Sequence, residues 1–520
     1  MRRRLAKRAV MTGVCLGLAV SAWALSSGSD PAPAAAAEGS VVSGGSVVVG
    51  VAQPWEPVDP LFTASTIDED IDSSVFGSLF QLNSGGQLKP ELATKISASN
   101  ELKTYTITLR QGVKFQDGTP FNAAAVVFNL QRVSNPANGC RCYTAVKDIA
   151  SVSAQGNSTV LVQLNAPDVT FPNTMSSQAG MMASPTAVRS EGQNFPERPI
   201  GAGPFKFQSQ TPGNSVTLAK WKGYWDAPRP YLNSVTYRLL ADSNSRLASI
   251  QSGAIQIDQN VGAAQLATIQ SDSAVKVDHL SGLGTTFVQF QTKNSPFTDV
   301  RARDAVTYAT NPTSINHALY SGLETTGIQS PWTPASWAYP GKRVANYPTY
   351  NLAKARQLVK QLGGLSFTFS IPNTSGAIDL AEALQSQWAA AGIKANISEQ
   401  DTLTLIDNSS AGKFQAMLYQ WIGSYEPDNN VDPFFATGGL SNAVKLSDPV
   451  VDALLSAERS TSSRPERQAI FLKMAARLAQ DAPYDYLMVN SVWLGYSDTV
   501  HGVVALKNGG FNLSQAWISG

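Results

Sequence analysis

The sequence predicts an α/β protein with at least two lobes, and two observations lead to this prediction. Between residues 345 and 420, apolar segments of strand length alternate with amphipathic segments of helix length. This alternation is typical of α/β units on a mostly parallel sheet. The chain has 520 residues, which is more than one hydrophobic core usually serves. No internal repeat or low-complexity tract interrupts the pattern.

The predicted elements follow in chain order. Strands are predicted at 47–51, 105–109, 159–164, 215–219, 367–371, 393–398 and 414–420, from short apolar or alternating segments. Helices are predicted after an Asn122 cap, at 352–362 after an Asn351 cap, and at 378–391, 402–410, 449–458 and 464–480.

The N-terminus predicts export. Residues 1–8 carry five basic residues and no acid, residues 9–25 are apolar, and a small-residue tract ends at Ala37. This order is typical of a secretory signal peptide, and the apolar run is shorter than the ~20 residues that span a membrane. We predict a signal peptide at 1–37, a linker at 38–46, and an extracytoplasmic protein of the periplasm or cell surface. The alternative is a retained membrane anchor.

The charge balance excludes two classes of partner. Without residues 1–37 the chain has 34 basic and 37 acidic residues, a net charge of −3. Nucleic-acid and anionic-membrane binding both require a basic surface, so neither is expected. No later apolar run is long enough to span a bilayer.

Cysteine and histidine usage argues against a metal site. Beyond residue 37 only Cys140 and Cys142 remain, two positions apart, and the three histidines are scattered. Zinc sites use wider cysteine pairs with further ligands elsewhere. An oxidising compartment favours a disulfide, but this spacing strains its geometry, so a local disulfide and free or intermolecular thiols both remain open.

A resemblance to a known family is carried by residues 109–132, which begin LRQGVKFQDGTPFNA and end VFNLQR. This segment is similar to the signature of the oligopeptide/dipeptide/nickel-type solute-binding proteins, the extracytoplasmic components of ABC importers. It would form a strand, a tight turn and a capped helix, and it marks the fold without binding ligand. Further stretches resemble the family in the same order, at 58–60, 86–93, 199–205, 221–226, 294–309 and 350–363.

The resemblance implies a two-lobed periplasmic-binding-protein-like fold with an extra inserted domain. Domain I would comprise residues 45–82, 197–283 and 487–520. Domain II would be the insertion 83–196, and domain III would be 284–486. The chain crossings near 282–284 and 486–490 would form a hinge, at which glycines can absorb backbone rotation.

In peptide-binding members the solute lies between domains I and III, with its amino group on an Asp three residues after a Trp. Here Trp421 is followed by Ser424, and a neutral hydroxyl cannot pair with a buried ammonium group. Glu426 or Asp428 could substitute only with a shifted backbone. A neutral ligand, a capped peptide, an oligosaccharide and a metal chelate all remain open.

Aromatic side chains are the preferred candidates because stacking orients a solute without charge. For most of them the alternative is core or hinge packing, and the same alternative applies to Trp332 and Trp337 in a Pro-rich loop. The predicted ligand-binding residues are Trp421, Tyr425, Ser424, Trp55, Phe62, Tyr486, Met488 and Asn490.

The predicted function is that of the substrate-binding component of an ABC importer. Its partners would be a peptide-like or other small solute and the membrane permease, and the protein would act as a monomer without cofactor or metal. A same-fold envelope accessory or sensor protein is the alternative. A hydrolase is not expected, because G-x-S-x-G, H-E-x-x-H and P-loop motifs are missing and His279, His317 and His501 lie far apart.

Overall fold

The computed structural model describes residues 41–99, 101–341 and 343–520. The predicted signal peptide and residues 38–40 of the predicted linker therefore lie outside the described residues. The unit Val42–Gly520 is compact. Across the described ranges, no helix combines the length and the apolar character needed to cross a bilayer.

The largest sheet has seven strands and is mixed. The N-terminal strand lies inside it between two parallel neighbours, which explains its continuous Val-rich run, since a strand covered on both faces need not alternate. The order is Val275–Leu280, Val492–Ser497, Ile257–Asp258, Ser46–Val51, Ser234–Leu239, Ser215–Lys220 and Phe205–Thr211.

A four-stranded antiparallel sheet forms a second core. Its strand Thr104–Leu109 alternates between half-buried and buried residues, as its period-two pattern predicts, because one face packs on the core. The helix Ala123–Ser134 begins at the predicted cap, where the Asn122 side chain accepts from the Ala125 amide at 3.1 Å. The strand order is Ala93–Ala98, Thr104–Leu109, Thr159–Leu164 and Ile149–Gln155.

The five-stranded sheet contains the segments read as α/β units. The strand Leu365–Pro372 pairs in parallel with both of its neighbours, as predicted. The strand Thr285–Phe290, which lies outside the segment 345–420 from which parallel pairing was predicted, is antiparallel to both of its own neighbours, so the complete sheet is mixed. The order is Ile393–Gln400, Leu365–Pro372, Ala416–Trp421, Thr285–Phe290 and Tyr484–Val489.

Three short hairpin-like pairs complete the strands, and helices cover the sheets. The pairs are Phe80–Leu82 with Leu88–Pro90, Val500–His501 with Trp517–Ile518, and Val504–Ala505 with Phe511–Asn512. The α-helices are Thr66–Phe76, Ala123–Ser134, Tyr143–Val146, Phe171–Thr174, Pro185–Glu191, Ser243–Gln251, Leu266–Gln270, Val300–Ala309, Pro312–Tyr320, Leu352–Gln361, Ser375–Ala390, Thr402–Ala411, Asp432–Phe435, Pro449–Arg459 and Arg464–Asp481.

Residues 109–132, which carry the family resemblance, connect two of the hydrophobic cores. The buried Gln116 side chain donates to the Val75 and Phe205 carbonyls at 2.9 and 2.8 Å. Arg132, at the end of the same segment, forms a two-pronged ion pair with Asp59 at 2.8 and 2.6 Å. These side chains link the four-stranded part to the seven-stranded part, which supports their interpretation as fold markers.

Two glycines lie where the chain crosses between the large sheets. A Cβ on Gly282 would lie 1.8 Å from the Asn490 carbonyl oxygen, and one on Gly284 would lie 2.1 Å from the Trp421 carbonyl oxygen. The Asn490 amide donates to the Gly284 carbonyl at 3.0 Å. Glycine is required here because the two crossings touch backbone to backbone.

Cys140 and Cys142 are joined in a disulfide. Both residues are buried beside the four-stranded sheet. Of the two alternatives left open by the sequence, the structure has the local bond.

Candidate functional site

Trp421 ends the strand Ala416–Trp421 and packs in an aromatic cluster. Its ring centroid lies 4.7 Å from Phe287, 4.6 Å from Phe434 and 5.6 Å from Tyr484, and the residue is only 6 % exposed. Its indole Nε1 is buried without a partner among the described residues. In this arrangement Trp421 contributes to the core next to the site, so its ligand role stays a prediction.

Ser424 organises the loop that follows Trp421. Its Oγ accepts from the Glu426 amide at 3.2 Å and from Asn429 Nδ2 at 3.3 Å, while its own amide donates to Asn430 Oδ1 at 2.8 Å. The hydroxyl thus has local partners. No charge is present at this position to hold an ammonium group.

Tyr425 connects three segments that are distant in sequence. Its hydroxyl donates to the Ser84 carbonyl at 3.1 Å and accepts from the Lys507 amide at 2.8 Å. Its ring lies against Gly86 so closely that a Cβ there would meet Tyr425 Cδ1 at 2.2 Å. Tyr425 is therefore the predicted residue that most directly joins predicted domain III to the other two.

The two acids further along this loop are already paired. Glu426 Oε1 contacts Arg467 Nη2 at 2.6 Å, and Asp428 Oδ2 contacts Arg459 Nη2 at 2.5 Å. Arg467 also holds Glu458 at 2.7 Å. Both loop carboxylates are neutralised by arginines, so neither is free to replace the missing anchoring Asp.

A cavity of about 90 Å³ lies beside Tyr425. Predicted domain I supplies most of its wall, with parts from predicted domain II and Tyr425 from predicted domain III. The lining includes three carboxyl groups and one buried tyrosine: Glu69, Asp70, Glu91 and Tyr224.

The three carboxyl groups of the cavity have few partners. Asp70 Oδ1 accepts from the Phe511 amide at 3.0 Å, and Glu91 Oε2 accepts from the Ser78 amide at 3.1 Å. Burial raises the pKa of Glu69 to about 7 and that of Glu91 to about 8, and it raises the pKa of Asp70 well above its usual range.

The sequence analysis missed this acidic wall. Its signal was the run Asp68-Glu69-Asp70-Ile71-Asp72, four acids in five residues near the start of one helix. Asp68 forms the capping box with Ser65, and Asp72 accepts from the Thr63 hydroxyl at 2.6 Å. These two acids are structural, which leaves Glu69 and Asp70 on the cavity.

The predicted facing wall lies elsewhere. Trp55 lines a separate depression of about 560 Å³ with Pro54, Pro196 and Phe207, and Phe62 packs against the core of the four-stranded part. Neither residue lines the cavity beside Tyr425. Their roles in solute binding stay predictions.

The predicted hinge residues lie at the second crossing. Tyr486 and Met488 are buried in the strand Tyr484–Val489. Asn490 Oδ1 accepts from the Thr286 hydroxyl at 2.7 Å, and Asn490 Nδ2 donates to the Trp421 carbonyl at 3.1 Å. These side chains pack at the crossing and also reach the Trp421 strand.

The Pro-rich loop places its two tryptophans in the core. Trp332 is fully buried, and its Nε1 donates to the Pro427 carbonyl at 3.0 Å. Arg464 and Arg467 lie over the Trp337 ring at 4.8 and 5.1 Å. Trp332 thereby positions the loop that carries Tyr425.

Within the ranges that the structure describes, no group of three or more His, Cys, Asp or Glu side chains is placed to hold a metal ion. Of the cavity carboxyls, Glu69 and Asp70 are neighbours on the helix Thr66–Phe76, and Glu91 comes from a separate segment.

The family model that matches this chain is described as "Bacterial extracellular solute-binding proteins, family 5 Middle", and it covers residues 87–442. The match begins in the loop that contacts Tyr425 and includes the whole Trp421 loop.

Curated relatives match over nearly the full chain. The glutathione-binding proteins GsiB of Shigella dysenteriae serotype 1 and Escherichia coli strain K12 are each 30 % identical over 486 residues, which is 90 % of this chain and 94 % of theirs.

Solved structures share the fold. The oligopeptide-binding protein AppA of Bacillus subtilis, in complex with a nonapeptide, has a TM-score of 0.82 at 23 % identity and covers 92 % of this chain and 100 % of its own. A dipeptide-binding protein of Pseudoalteromonas sp. SM9913 with Met-Leu has 0.83 at 22 % identity, covering 91 % and 100 %. NikZ of Campylobacter jejuni with Ni(L-His) has 0.80 at 22 % identity, covering 90 % and 97 %.

The mixed sheets, the inserted four-stranded part and these matches confirm the periplasmic-binding-protein-like fold and the resemblance found in the sequence. The chain belongs to the bacterial extracellular solute-binding proteins of family 5, the binding components of ABC importers.

Proposed function

We propose that the protein captures a small solute between predicted domains I and III, as a monomer outside the cytoplasm, and delivers it to an ABC permease. The observation that carries this proposal is the position of Tyr425, whose hydroxyl bonds both Ser84 and Lys507 beside an enclosed cavity. A residue in contact with all three predicted domains can report whether they have closed.

The mechanism is conformational. Solute contacts from both lobes favour the closed form over the open one, and the ligand shifts the population by its difference in affinity for the two forms. The touching crossings at Gly282, Gly284 and Asn490 are the proposed hinge. Only the closed form would dock productively on the permease.

The predicted ligand-binding residues differ in where they lie relative to the cavity. Tyr425 lines the cavity, while Trp421 and Asn490 do not line it and are joined by the Asn490 hydrogen bond to the Trp421 carbonyl. Ser424 supports the loop. We propose that domain opening exposes Trp421 and Tyr425 to incoming solute, with Trp55 and Phe62 on the facing wall and with Tyr486 and Met488 at the second crossing.

The experiment combines thermal unfolding with small-angle scattering. The full chain is screened against dipeptides, glutathione, oligosaccharides and a nickel–histidine chelate, classes that include those bound by the similar proteins. One class should raise the unfolding temperature by mass action and reduce the radius of gyration. If no class does either, the proposal fails. Mass spectrometry should return the solute unchanged, and a consumed solute would contradict a pure binding role.

A further inference from the structure

The cavity beside Tyr425 is lined by acids that form no ion pair among the described residues. No described Lys, Arg or His nitrogen lies within 4.0 Å of a carboxylate oxygen of Glu69, Asp70 or Glu91, although twelve such contacts occur elsewhere. Buried carboxylates are otherwise paired or bind a cation. Glu426 and Asp428, which follow Tyr425 in the same loop, are by contrast both paired with arginines.

A second observation is independent of the acids. Tyr224 is only 7 % exposed and lines the same cavity, yet its hydroxyl has no hydrogen-bond partner among the described residues. The tyrosine lies near Glu91. Its hydroxyl is therefore an unused donor and acceptor of a cavity-lining residue, and it can accept from an N–H of a ligand.

We infer that this cavity receives the cationic head group, an ammonium or guanidinium, of the solute, held by Glu69, Asp70 and Glu91 with Tyr224. This inference rests on the proposed function and names the solute class for it. An ammonium group has three N–H donors and a guanidinium has five. The three carboxyl groups and the tyrosine hydroxyl can accept hydrogen bonds from them. About 90 Å³ equals the liquid volume of roughly three waters, enough for the head group while the remainder extends into the cleft.

A bare metal ion fits less well. The described residues contain no group of three or more acidic, His or Cys side chains arranged as ligands. An organic head group with several N–H donors does not require such an arrangement.

The pH dependence of amine binding depends on the titratable groups near the cavity carboxyls. Asp68 and Tyr237 lie near Asp70, while Arg110, Asp226 and Tyr224 lie near Glu91. Because burial raises the carboxyl pKa values, the empty cavity holds protons near neutral pH that a cation displaces. Amine affinity should therefore rise between pH 6 and pH 8, where the carboxyls ionise more easily and the amine stays charged.

The test compares each amine probe with its neutral counterpart. Agmatine, cadaverine and a set of dipeptides are screened by thermal shift against their N-acetylated forms, and the strongest pair is measured by calorimetry. The amine should bind at least about tenfold more tightly than the acetylated probe, since charge-assisted bonds are lost on acetylation. Equal binding of the two forms overturns the inference.

Variants locate the head group. Glu69→Gln and Glu91→Gln should each weaken amine binding about tenfold or more, and Tyr224→Phe should weaken it by a smaller factor. The control Glu382→Gln makes the same change on an exposed helix position and should leave affinity unchanged. If amine binding persists unchanged in the three cavity variants, the head group lies elsewhere and the inference fails.

The outcomes separate this inference from the proposed function. If a neutral solute alone causes stabilisation and compaction, the cationic class is wrong and solute capture stands. If no probe of any class binds, both are contradicted. A preference for amines that is lost in the cavity variants supports both.

Discussion

Arg467 pairs with two buried acids of the predicted domain III, Glu426 and Glu458. Its guanidinium is 7 % exposed and contacts Glu426 at 2.6 Å and Glu458 at 2.7 Å. Asn173 of predicted domain II also donates to Glu426 Oε2 at 2.9 Å. The Tyr425 loop is thereby fastened to the helix Arg464–Asp481.

Replacing Arg467 with Met should destabilise the protein by about 3–5 kcal/mol, because it leaves two buried carboxylates unpaired. Urea unfolding measures the loss. Arg301→Met is the matched control, since the Arg301–Asp299 pair is largely exposed and should matter little. Equal effects of the two substitutions would contradict this account.

Glu91 differs from Glu426 because it is a buried acid that forms no ion pair among the described residues, although Arg110 lies nearby. The unfolded chain releases its proton near the usual pKa of 4.5, while the folded protein retains it up to a pKa of about 8. Between these values the folded state binds more protons, so the free energy of unfolding falls as pH rises.

Glu91→Gln should therefore flatten the pH dependence of stability between pH 5 and pH 8. Its stability relative to the native protein should improve as pH rises across this window. Urea midpoints at pH 5, 6.5 and 8 test this, with Glu382→Gln expected to follow the native profile. A Glu91→Gln profile parallel to the native one would show that Glu91 does not titrate as described.

At the scale of elements, local signals predicted seven of the 22 strands and six of the 15 α-helices that the structure describes. The helices Leu352–Gln361 and Pro449–Arg459 lie within one residue of their predicted bounds, because caps and apolar periodicity act within a few residues. Strand direction was less predictable. The direction of a strand depends on which strand from a distant part of the chain pairs with it, as the antiparallel pairing of Thr285–Phe290 shows.

A substitution at Gly284 tests whether the chain crossing there is tightly packed. Gly284→Ala would place a Cβ 2.1 Å from the Trp421 carbonyl oxygen, so the crossings must separate. We expect a clear loss of stability and weaker solute binding, measured by thermal unfolding and calorimetry. The control Gly376→Ala lies in the helix Ser375–Ala390 with nothing within 4 Å of its Cβ, and it should be neutral or slightly stabilising. A tolerated Gly284→Ala would argue against this crossing as a constrained hinge.

At the scale of the whole molecule, Tyr425 is one of the contacts between the predicted domains. Its hydroxyl bonds Ser84 and Lys507, which belong to different predicted domains, and its ring covers Gly86. The Arg467 cluster, fastened through Asn173, adds a second contact between predicted domains III and II. Closure therefore depends on a few polar bonds in addition to apolar contact.

Tyr425→Phe should shift the population towards the open form, because it removes both bonds and keeps the ring. Small-angle scattering should show a larger radius of gyration and calorimetry a weaker solute affinity. Tyr419→Phe removes a half-buried hydroxyl that has no hydrogen-bond partner among the described residues, and it should change neither quantity. An unchanged radius in Tyr425→Phe would contradict its role in closure.

The sequence by itself determined the family, the α/β architecture and the approximate bounds of the helices and strands that it predicted. These follow from local chemistry such as the Asn122 cap and from an ordered series of motifs. The tertiary structure alone decided which acids are free. Glu426 meets Arg467 across 41 residues, whereas the Glu69, Asp70 and Glu91 cavity is closed by Tyr224 and Tyr425 from far along the chain. A carboxylate's partner depends on how the lobes pack, and no local pattern encodes that.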